Sequence, residues 1–435
     1  MPFDATILAY LLPLLLIWSV YLGVRRFKEA RSLSAMTEAI AAGLGEPASL
    51  HPKIDPSRCL GCGACVLACP EHAVLGLVRG KAELIEPAQC IGHGACKAAC
   101  PHGAISLVFG TETRGVDIPN VDANFQTNVP GIFIAGELGG MGLIRNAIEQ
   151  GRQALAAIAE RCSTPVPGLL DVLIVGGGPA GISASLAAKQ HRLNFVTVEQ
   201  DSLGGTVAQF PRGKLVMTQP VALPLAGTMD FKEVDKERLL RFWKKVVAKT
   251  GLRINFRERV EAIEREAGAV FAVRTTRAIY RTRHVLLAIG RRGTPRKLSV
   301  PGEELPKVVY RLIDAEQYRG RHVLVVGGGD SALEAAASIA EVQGTTVTLS
   351  YRSAAFGRAK IKNRQRVEAA ARAGRITVLL GSNVTHIGPS CVGIECAGRH
   401  AEIRNDAVIV CAGGILPTAF LKSMGVHVET KFGTA

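Results

Sequence analysis

The chain has 435 residues, of which 48% are hydrophobic, a length that allows about two to four domains with sizeable cores. Its 52 Lys and Arg against 37 Asp and Glu leave a charge of +15. That balance suits an anionic membrane surface or an acidic redox partner, and with no nucleic-acid motif or aromatic interleaving beside it, nucleic-acid binding is discounted.

Residues 5–24 (ATILAYLLPLLLIWSVYLGV) carry no charge, and a helix of that length covers about 30 Å, a bilayer core. Tyr10, Trp18 and Tyr21 suit the interfaces, and Pro13 is tolerated in such a helix. Only Asp4 precedes the run, whereas a signal peptide needs a basic leader. Arg25, Arg26, Lys28 and Arg31 follow it, so the positive-inside rule predicts a single-pass anchor in the cytoplasmic membrane with the remaining domains facing the cytoplasm. Residues 25–52 read as a juxtamembrane linker, helical at first and then Gly/Pro-containing, without chemistry of its own.

Next come RCLGCGACVLACPEHAV and QCIGHGACKAACPHGAI, which hold seven of the 11 cysteines and repeat at a fixed offset (90 − 59 = 31). The first half spells C-x2-C-x2-C-x3-C-P, the spacing that wraps three thiolates round one cubane and sends the fourth to another. Zinc or disulfides do not account for that crossed pattern, and metal-ligand spacing argues for a reducing compartment. Over residues 53–110 the chain resembles the two-cluster bacterial ferredoxins. The resemblance implies that Cys59, Cys62, Cys65 and Cys100 hold a [4Fe-4S] cluster and that Cys69, Cys90 and Cys96 hold part of a second. His93 stands where the counterpart of Cys62 belongs. It is a cluster ligand, a neighbour of a [3Fe-4S] centre, or a histidine on a polar turn, and the sequence leaves the three level. The other cysteines, Cys162, Cys391, Cys396 and Cys411, read as buried small hydrophobes. Cys391 and Cys396 would fall on opposite faces of a strand, which argues against a redox pair.

Residues 125–157 give an apolar strand, a Gly-rich turn and an amphipathic helix. Then a hydrophobic strand runs into the turn Gly176-x-Gly178-Pro179-Ala180-Gly181, a helix, and a second strand ending at Glu199. The glycines allow a tight turn and backbone N–H groups close to a pyrophosphate at the helix start. Glu199 lies 23 residues on (199 − 176), where an acid takes ribose hydroxyls. The pattern returns as Gly327-x-Gly329-Asp330-Ser331-Ala332, but its second strand ends at Tyr351-Arg352 without an acid. Arg352 and Arg358 there fit a 2′-phosphate, so NADPH over NADH. Lys360, Lys362, Arg364 and Arg366 read equally as an exposed helix face.

Two dinucleotide folds, one acid-terminated and one basic, resemble the thioredoxin-reductase-like flavoproteins over residues 111–435. LLAIGRRGTPRKLSVPGE (286–303) and VIVCAGGILPTAFLKSMG (408–425) match that family's crossover segments. The resemblance implies FAD on the first fold and NAD(P)H on the second, with Gly204, Gly205 and Thr206 near the isoalloxazine, and a homodimer. The expected class is α/β: two Rossmann-like three-layer dinucleotide-binding domains, a small α+β 2[4Fe-4S] ferredoxin domain and one transmembrane helix.

Two departures from the family stand out. The segment that closes the family's FAD domain lies here at 127–157, ahead of the glycine turn, which reads as a circular permutation. The layout is then 111–160 for the permuted part, 168–292 for the FAD domain, 293–411 for the NAD(P) domain and 412–435 for the return. By the resemblance, Gly136 and Glu137 lie beside the ribityl chain, and the N–H groups around Asn146 and Ala147 face the flavin's N1/O2 edge. The second departure is at 308–324 (VVYRLIDAEQYRGRHVL), where thioredoxin reductases carry C-x-x-C and this chain has no cysteine. Dithiol exchange needs a thiolate pair, so the nearer relatives are ferredoxin–NADP reductases of this type and bacillithiol disulfide reductase-like proteins.

The expected function is electron transfer from NAD(P)H through FAD and two iron–sulfur clusters to a membrane-associated or protein acceptor: a quinone, a cytochrome, a ferredoxin or a partner subunit. Cofactors carry such chemistry, so no catalytic acid or base is assigned. Flow in reverse to NADP, reduction of a low-molecular-weight disulfide and a non-enzymatic redox sensor are the alternatives.

Overall fold

A computed structural model describes residues 5–434 except 42–44, 48–49, 72, 91, 113–114, 141, 163–165 and 358. The chain divides into two compact units, residues 1–114 with 432–435, and residues 115–431.

The first unit begins with α1 (Ala5–Ala41), one unbroken helix that passes through Pro13. The helical start expected for the linker continues the span at 5–24 without a break, because Arg, Lys, Glu, Ala and Met after Val24 are strong helix formers. From Tyr10 to Val24 its large apolar side chains other than Leu22 are exposed, and the helix is long and apolar enough, by length and composition, to cross a membrane. Next come β1 (His51–Ile54), α2 (Ala64–Ala68), β2 (Leu75–Val78), β3 (Lys81–Leu84), α3 (Ala95–Ala98) and β4 (Ile105–Val108). Strands β1 and β4 pair antiparallel, and β2 and β3 form a hairpin. The sequence repeat is a structural one: α2 and α3 each follow a left-handed glycine, Gly63 at φ 77° and Gly94 at φ 78°, a conformation glycine adopts without steric cost. The lower half of α1 packs on the hairpin, where Arg79 N donates to Glu29 Oε1 at 2.7 Å.

In the second unit, β5 (Val116–Pro119) and β6 (Ile132–Ile134) lead into α4 (Ile144–Ala159). Then come β7 (Leu170–Val175), α5 (Pro179–Gln190), β8 (Phe195–Glu199), α6 (Lys236–Thr250), β9 (Asn255–Phe256), β10 (Val260–Arg265), β11 (Phe271–Thr275) and β12 (Ile279–Leu287). Their spatial order is β9-β8-β7-β12-β11-β10, with β6 also on β12. Along one edge of β12, its first half pairs antiparallel with β11 and its second half parallel with β6, Val285 to Ile132 and Leu287 to Ile134. Phe133 packs with Leu155, Ile158 and Val172 on the α4/α5 side, while Ile132 and Ile134 pack with Leu173, Phe271 and Val285 on the other. Strands buried on both faces require such unbroken apolar runs.

The second dinucleotide fold has β13 (Val308–Val309), β14 (His322–Val326), α7 (Asp330–Ala340), β15 (Thr346–Tyr351), α8 (Ile361–Arg372), β16 (Ile376–Leu380), β17 (Ser382–Ile387), β18 (Cys391–Cys396), β19 (Arg399–Arg404) and β20 (Ala407–Val410). A parallel sheet runs β13-β20-β14-β15-β16, and β17-β18-β19 form a separate meander. The chain then returns through α9 (Thr418–Ser423) to the first sheet, where Leu421 and Val426 join its core. Strand β21 (Val428–Lys431) pairs with β5. The returning segment stops there rather than at 435, since Phe432 onward belongs to the first unit and Thr434 bridges to Phe109.

Helix α4 is held closely: a Cβ on Gly151 would stand 2.1 Å from the Ala180 carbonyl oxygen of α5. Gly151→Ala sets about 1 kcal/mol of gained helix propensity against about 1–3 kcal/mol of overpacking. The contact is with backbone that cannot give way, so packing wins. The variant is expected to melt several degrees lower by calorimetry; an unchanged or higher Tm would show that α4 is not seated on α5.

Candidate functional site

In the first unit, Cys59, Cys62, Cys65 and Cys100 line one cavity together with Ile54, His102 and Ile105. These are the four thiols expected to share a cluster. Cys59 and Cys65 are buried and Cys62 is exposed. Burial pushes the Cys65 thiol up to about 11, and free thiols in that state gain from an iron centre that takes them as thiolates. The backbone N–H of Ala82 donates to Cys59 Sγ at 3.4 Å and that of Ala104 to Cys100 Sγ at 3.3 Å. Such N–H···S contacts tune cluster potential. The donor set, four thiols round one point, fits an iron–sulfur cluster.

Cys69, Cys90 and Cys96 are buried in the same core. Cys96 is pushed up to about 11, first by burial and then by the neighbouring Cys90 and Cys69. His93 is half-buried, and burial lowers its pKa against the pull of Glu71. Its Nε2 is enclosed without a hydrogen-bond partner among the described residues. An enclosed imidazole nitrogen with no described partner is open to a metal ion. Glu71, unremarked in the sequence, also acts on Cys90; only the fold reveals it, because Pro70 and Glu71 follow one half-repeat and Cys90 opens the other.

In the second unit, the first glycine turn joins β7 to α5. A Cβ on Gly181 would come within 1.8 Å of the Gly176 carbonyl oxygen, so the helix start lies directly on the strand end. Gly178 caps α5 and Pro179 and Ala180 open it. Glu199, at the end of β8, is buried and accepts from Gly177 N at 2.6 Å and Asp201 N at 2.8 Å. Burial raises its pKa and those two N–H groups oppose the shift. Gly205 of the loop 203–206 lies against Gly178, and Gly136 lies against Ala180 and Ala147. Thus Gly136, Ala147, Ala180, Gly178 and Gly205, drawn from three stretches of chain, converge on one helix start. The Ala147 N–H already donates to Leu143 O at 2.9 Å, whereas Asn146 holds the third helical position, whose N–H has no intrahelical acceptor. Glu137 is pushed up by burial against the pull of Arg291 and Arg292.

The second glycine turn opens on a cleft of about 840 Å³ lined by Gly327, Gly329, Asp330, Ser331, Arg352 and Lys360 on one side and by Glu137, Thr206, Arg291 and Arg292 on the other. Gly204 and Ala332 belong to the supporting turns, Ala332 being fully buried. Asp330 Oδ1 accepts from Lys360 N at 2.8 Å and Asn363 Nδ2 at 2.7 Å, which ties the start of α7 to that of α8. Lys214 pairs with Glu334 of α7. Of the basic helix face, Lys360 lines the cleft while Arg366 pairs outside with Glu341. Arg358 lies outside the described residues. Arg291, Arg292 and Arg311 form a basic wall that the sequence reading passed over; the pair in AIGRRG was visible but had no position. Arg292 is lowered first by burial and then by Arg311, which itself pairs with Asp201 at 3.7 Å. Such a wall suits a polyanionic ligand. Cys162, Cys391, Cys396 and Cys411 are half-buried rather than buried, because each lies near the end of an element or beside a surface strand. Cys391 and Cys396 do lie on opposite faces of β18 by register.

If Arg352 binds a 2′-phosphate, Arg352→Ala removes a charge-assisted contact of about 1.5–3 kcal/mol. The KM for NADPH should then rise roughly tenfold or more while that for NADH stays put; equal changes in both would place Arg352 elsewhere.

Comparison with known proteins fits this geometry. Residues 173–433 match the family model "Pyridine nucleotide-disulphide oxidoreductase", and residues 51–101 match "4Fe-4S dicluster domain". The chain is 26% identical to the bacilliredoxin reductase Bdr of Bacillus subtilis, over 60% of this chain and 82% of that one. It is 27% identical to a ferredoxin–NADP reductase of Ignicoccus hospitalis, over 60% and 83%. Among solved structures, the bacillithiol disulfide reductase Bdr (YpdA) of Bacillus cereus superposes with a TM-score of 0.53 at 27% identity, covering 59% of this chain and 82% of that one. The chain therefore belongs to the pyridine nucleotide-disulphide oxidoreductase family, as an FAD-dependent oxidoreductase joined to a 4Fe-4S dicluster domain.

Proposed function

We propose that this protein is a membrane-anchored NADPH oxidoreductase that delivers electrons to a lipid-dissolved quinone. The balanced reaction is NADPH + quinone + H⁺ → NADP⁺ + quinol. When bound, FAD accepts two electrons as a hydride and iron–sulfur clusters relay electrons one at a time, which is what a two-electron donor joined to a cluster module requires.

The observation that carries the reading is the continuity of α1. The apolar stretch ends at Val24, and five residues on (29 − 24) the same helix accepts the Arg79 N–H through Glu29. At 1.5 Å per residue that is about 8 Å along the axis. The turn at Arg79 and Gly80 in turn lies on the first cysteine loop, where a Cβ on Gly61 would be 2.0 Å from the Gly80 carbonyl oxygen. A helix seated in a bilayer would therefore hold Cys59, Cys62 and Cys65 beside the membrane surface, with Arg25, Arg26 and Lys28 at headgroup depth. Exposed Leu60 and Cys62 on that loop give a lipid-side carrier access to the cluster that Cys59, Cys62, Cys65 and Cys100 would hold. Cys69, Cys90 and Cys96, with His93 as fourth ligand, would hold the second.

The flavin domain reads as circularly permuted. Its support is that β6 and α4, which precede the glycine turn in the chain, fill the sheet edge on β12 and the layer on α5, while the family match begins only at residue 173. Gly176, Gly178, Gly181 and Glu199 would hold the FAD phosphates and ribose, with Glu137 near its ribityl chain. Glu137 also lines the nucleotide cleft, so NADPH held by Gly327, Gly329 and Arg352 would approach from that side.

The opposite direction, supplying NADP from a reduced carrier, is the second reading, favoured by relatives named ferredoxin–NADP reductase. The test uses full-length protein in vesicles containing a long-chain quinone. NADPH-driven quinone reduction should fall at least about tenfold in Cys62→Ala while reduction of soluble ferricyanide persists, since the loss is confined to the relay. Undiminished quinone reduction would remove the clusters from the path. Faster NADP reduction by a reduced carrier than quinone reduction by NADPH would give the second reading the lead.

A further inference from the structure

The meander β17-β18-β19 carries a group of side chains with no part in the nucleotide or cluster sites. We propose that His386, Cys391 and Glu402 form a binding site for a zinc-class divalent cation, which fixes the strand that leads out of the nucleotide cleft.

The three residues come together through register. His386 pairs with Gly393, and Gly393 with Glu402, in one row across the three strands, while Cys391 precedes Gly393 by two and shares its face. The opposite face is core: Ile387, Val392 and Ile394 are buried against the parallel sheet. A bulge between Val384 and His386 sets this phase. Were the ladder continuous, Thr385 would oppose Gly393 and His386 would fall opposite Val392 on the core side, and bulges are a common means of re-aiming a side chain. The imidazole lies over Gly393, where a Cβ would come within 2.3 Å of its Nδ1 and Cε1. Any other residue in the middle of this row would displace it.

The ligand atoms of all three side chains lie within 4.8 Å of one another, and His386 Nε2 is 3.1 Å from Glu402 Oε1. Ligands about 2.0–2.1 Å from a tetrahedral zinc are spaced about 3.3 Å apart, so the nitrogen and oxygen are nearly in place and the thiol needs a modest swing. His386 and Glu402 are 43% and 64% exposed, which leaves them free to adjust and leaves a fourth position open to water. A hydrogen-bonded His–Glu pair alone would need neither the thiol nor its placement. Cys391 is held by its backbone, its carbonyl oxygen accepting from Gly388 N at 3.0 Å and Lys307 Nζ at 3.3 Å.

The donor set selects the ion. A thiolate disfavours magnesium and calcium, a carboxylate disfavours copper(I), and thiolate with imidazole and carboxylate suits zinc. On binding, the Cys391 thiol loses its proton to solvent, a Zn–S bond forms, and neutral His386 and ionised Glu402 complete the protein ligands; no electron is exchanged. The consequence reaches the cleft, because Ser382, Asn383 and Val384 at the start of β17 line it. A cation tying β17 to β18 and β19 would hold that wall.

The test is metal analysis of full-length protein with its iron and flavin in place, given zinc and dialysed against a weak chelator, with zinc absorption spectroscopy. The expected result is one zinc per chain with a single Zn–S distance near ~2.3 Å and the remaining ligands near ~2.0–2.1 Å. Cys391→Ser and Glu402→Gln should each lose zinc at least tenfold more readily with iron and flavin content unchanged. Removing zinc should raise the KM for NADPH at constant kcat. Zinc held equally by both variants, two or more sulfurs around it, or no zinc retained would overturn the site. Zinc bound by these residues with no effect on KM would overturn the clamp.

Discussion

The flavin domain depends on the two edges of β12. One is filled by β7; the other is shared, antiparallel β11 along the first half and parallel β6 along the second. Beyond the ladder, Val285 N donates to Gly131 O at 2.9 Å and Ala135 N to Leu287 O at 3.1 Å. Val285, Leu286 and Leu287 are completely buried, so backbone groups left unpaired there would each cost about 1–3 kcal/mol. A segment that precedes the glycine turn in sequence is thus obligatory to the sheet that carries the turn. It also brings Gly136 and the start of α4 against the helix start that follows the glycine turn, which ties assembly of the fold to assembly of that turn.

Electrostatics divide the chain by task. In the cluster module burial raises the thiols of Cys65, Cys90 and Cys96, and metal binding that takes thiols as thiolates links stability to metal content. The nucleotide cleft instead concentrates cations before any ligand arrives: Arg291, Arg292, Arg311, Arg352 and Lys360 line one space. Lys214 is neutralised by Glu334 across that space, while Arg292 stays lowered by its burial and by the nearby Arg311. A concentration of cations in one cleft suits a polyanionic ligand.

What the sequence makes legible is what depends on spacing. The thiols Cys59, Cys62, Cys65 and Cys100 meet round one cavity as the ferredoxin pattern implies, and both glycine turns join a strand to a helix. Spacing along the chain does not report contacts between distant segments. Glu71 beside His93 and the arginine wall of the cleft require separate loops to meet, and His386 meets Cys391 and Glu402 only through strand register and a bulge. Along α1 polarity changes sharply after Val24 while helix propensity does not, so the span runs on into its helical linker.

The central claim is that electrons from the nicotinamide nucleotide reach the iron–sulfur module of the same chain. The most direct measurement is anaerobic electron paramagnetic resonance of the full-length protein reduced with NADPH alone. The account predicts iron–sulfur signals that develop with NADPH, from two magnetically distinct centres. Bleaching of the flavin while the clusters stay silent to NADPH, yet respond to dithionite, would contradict it.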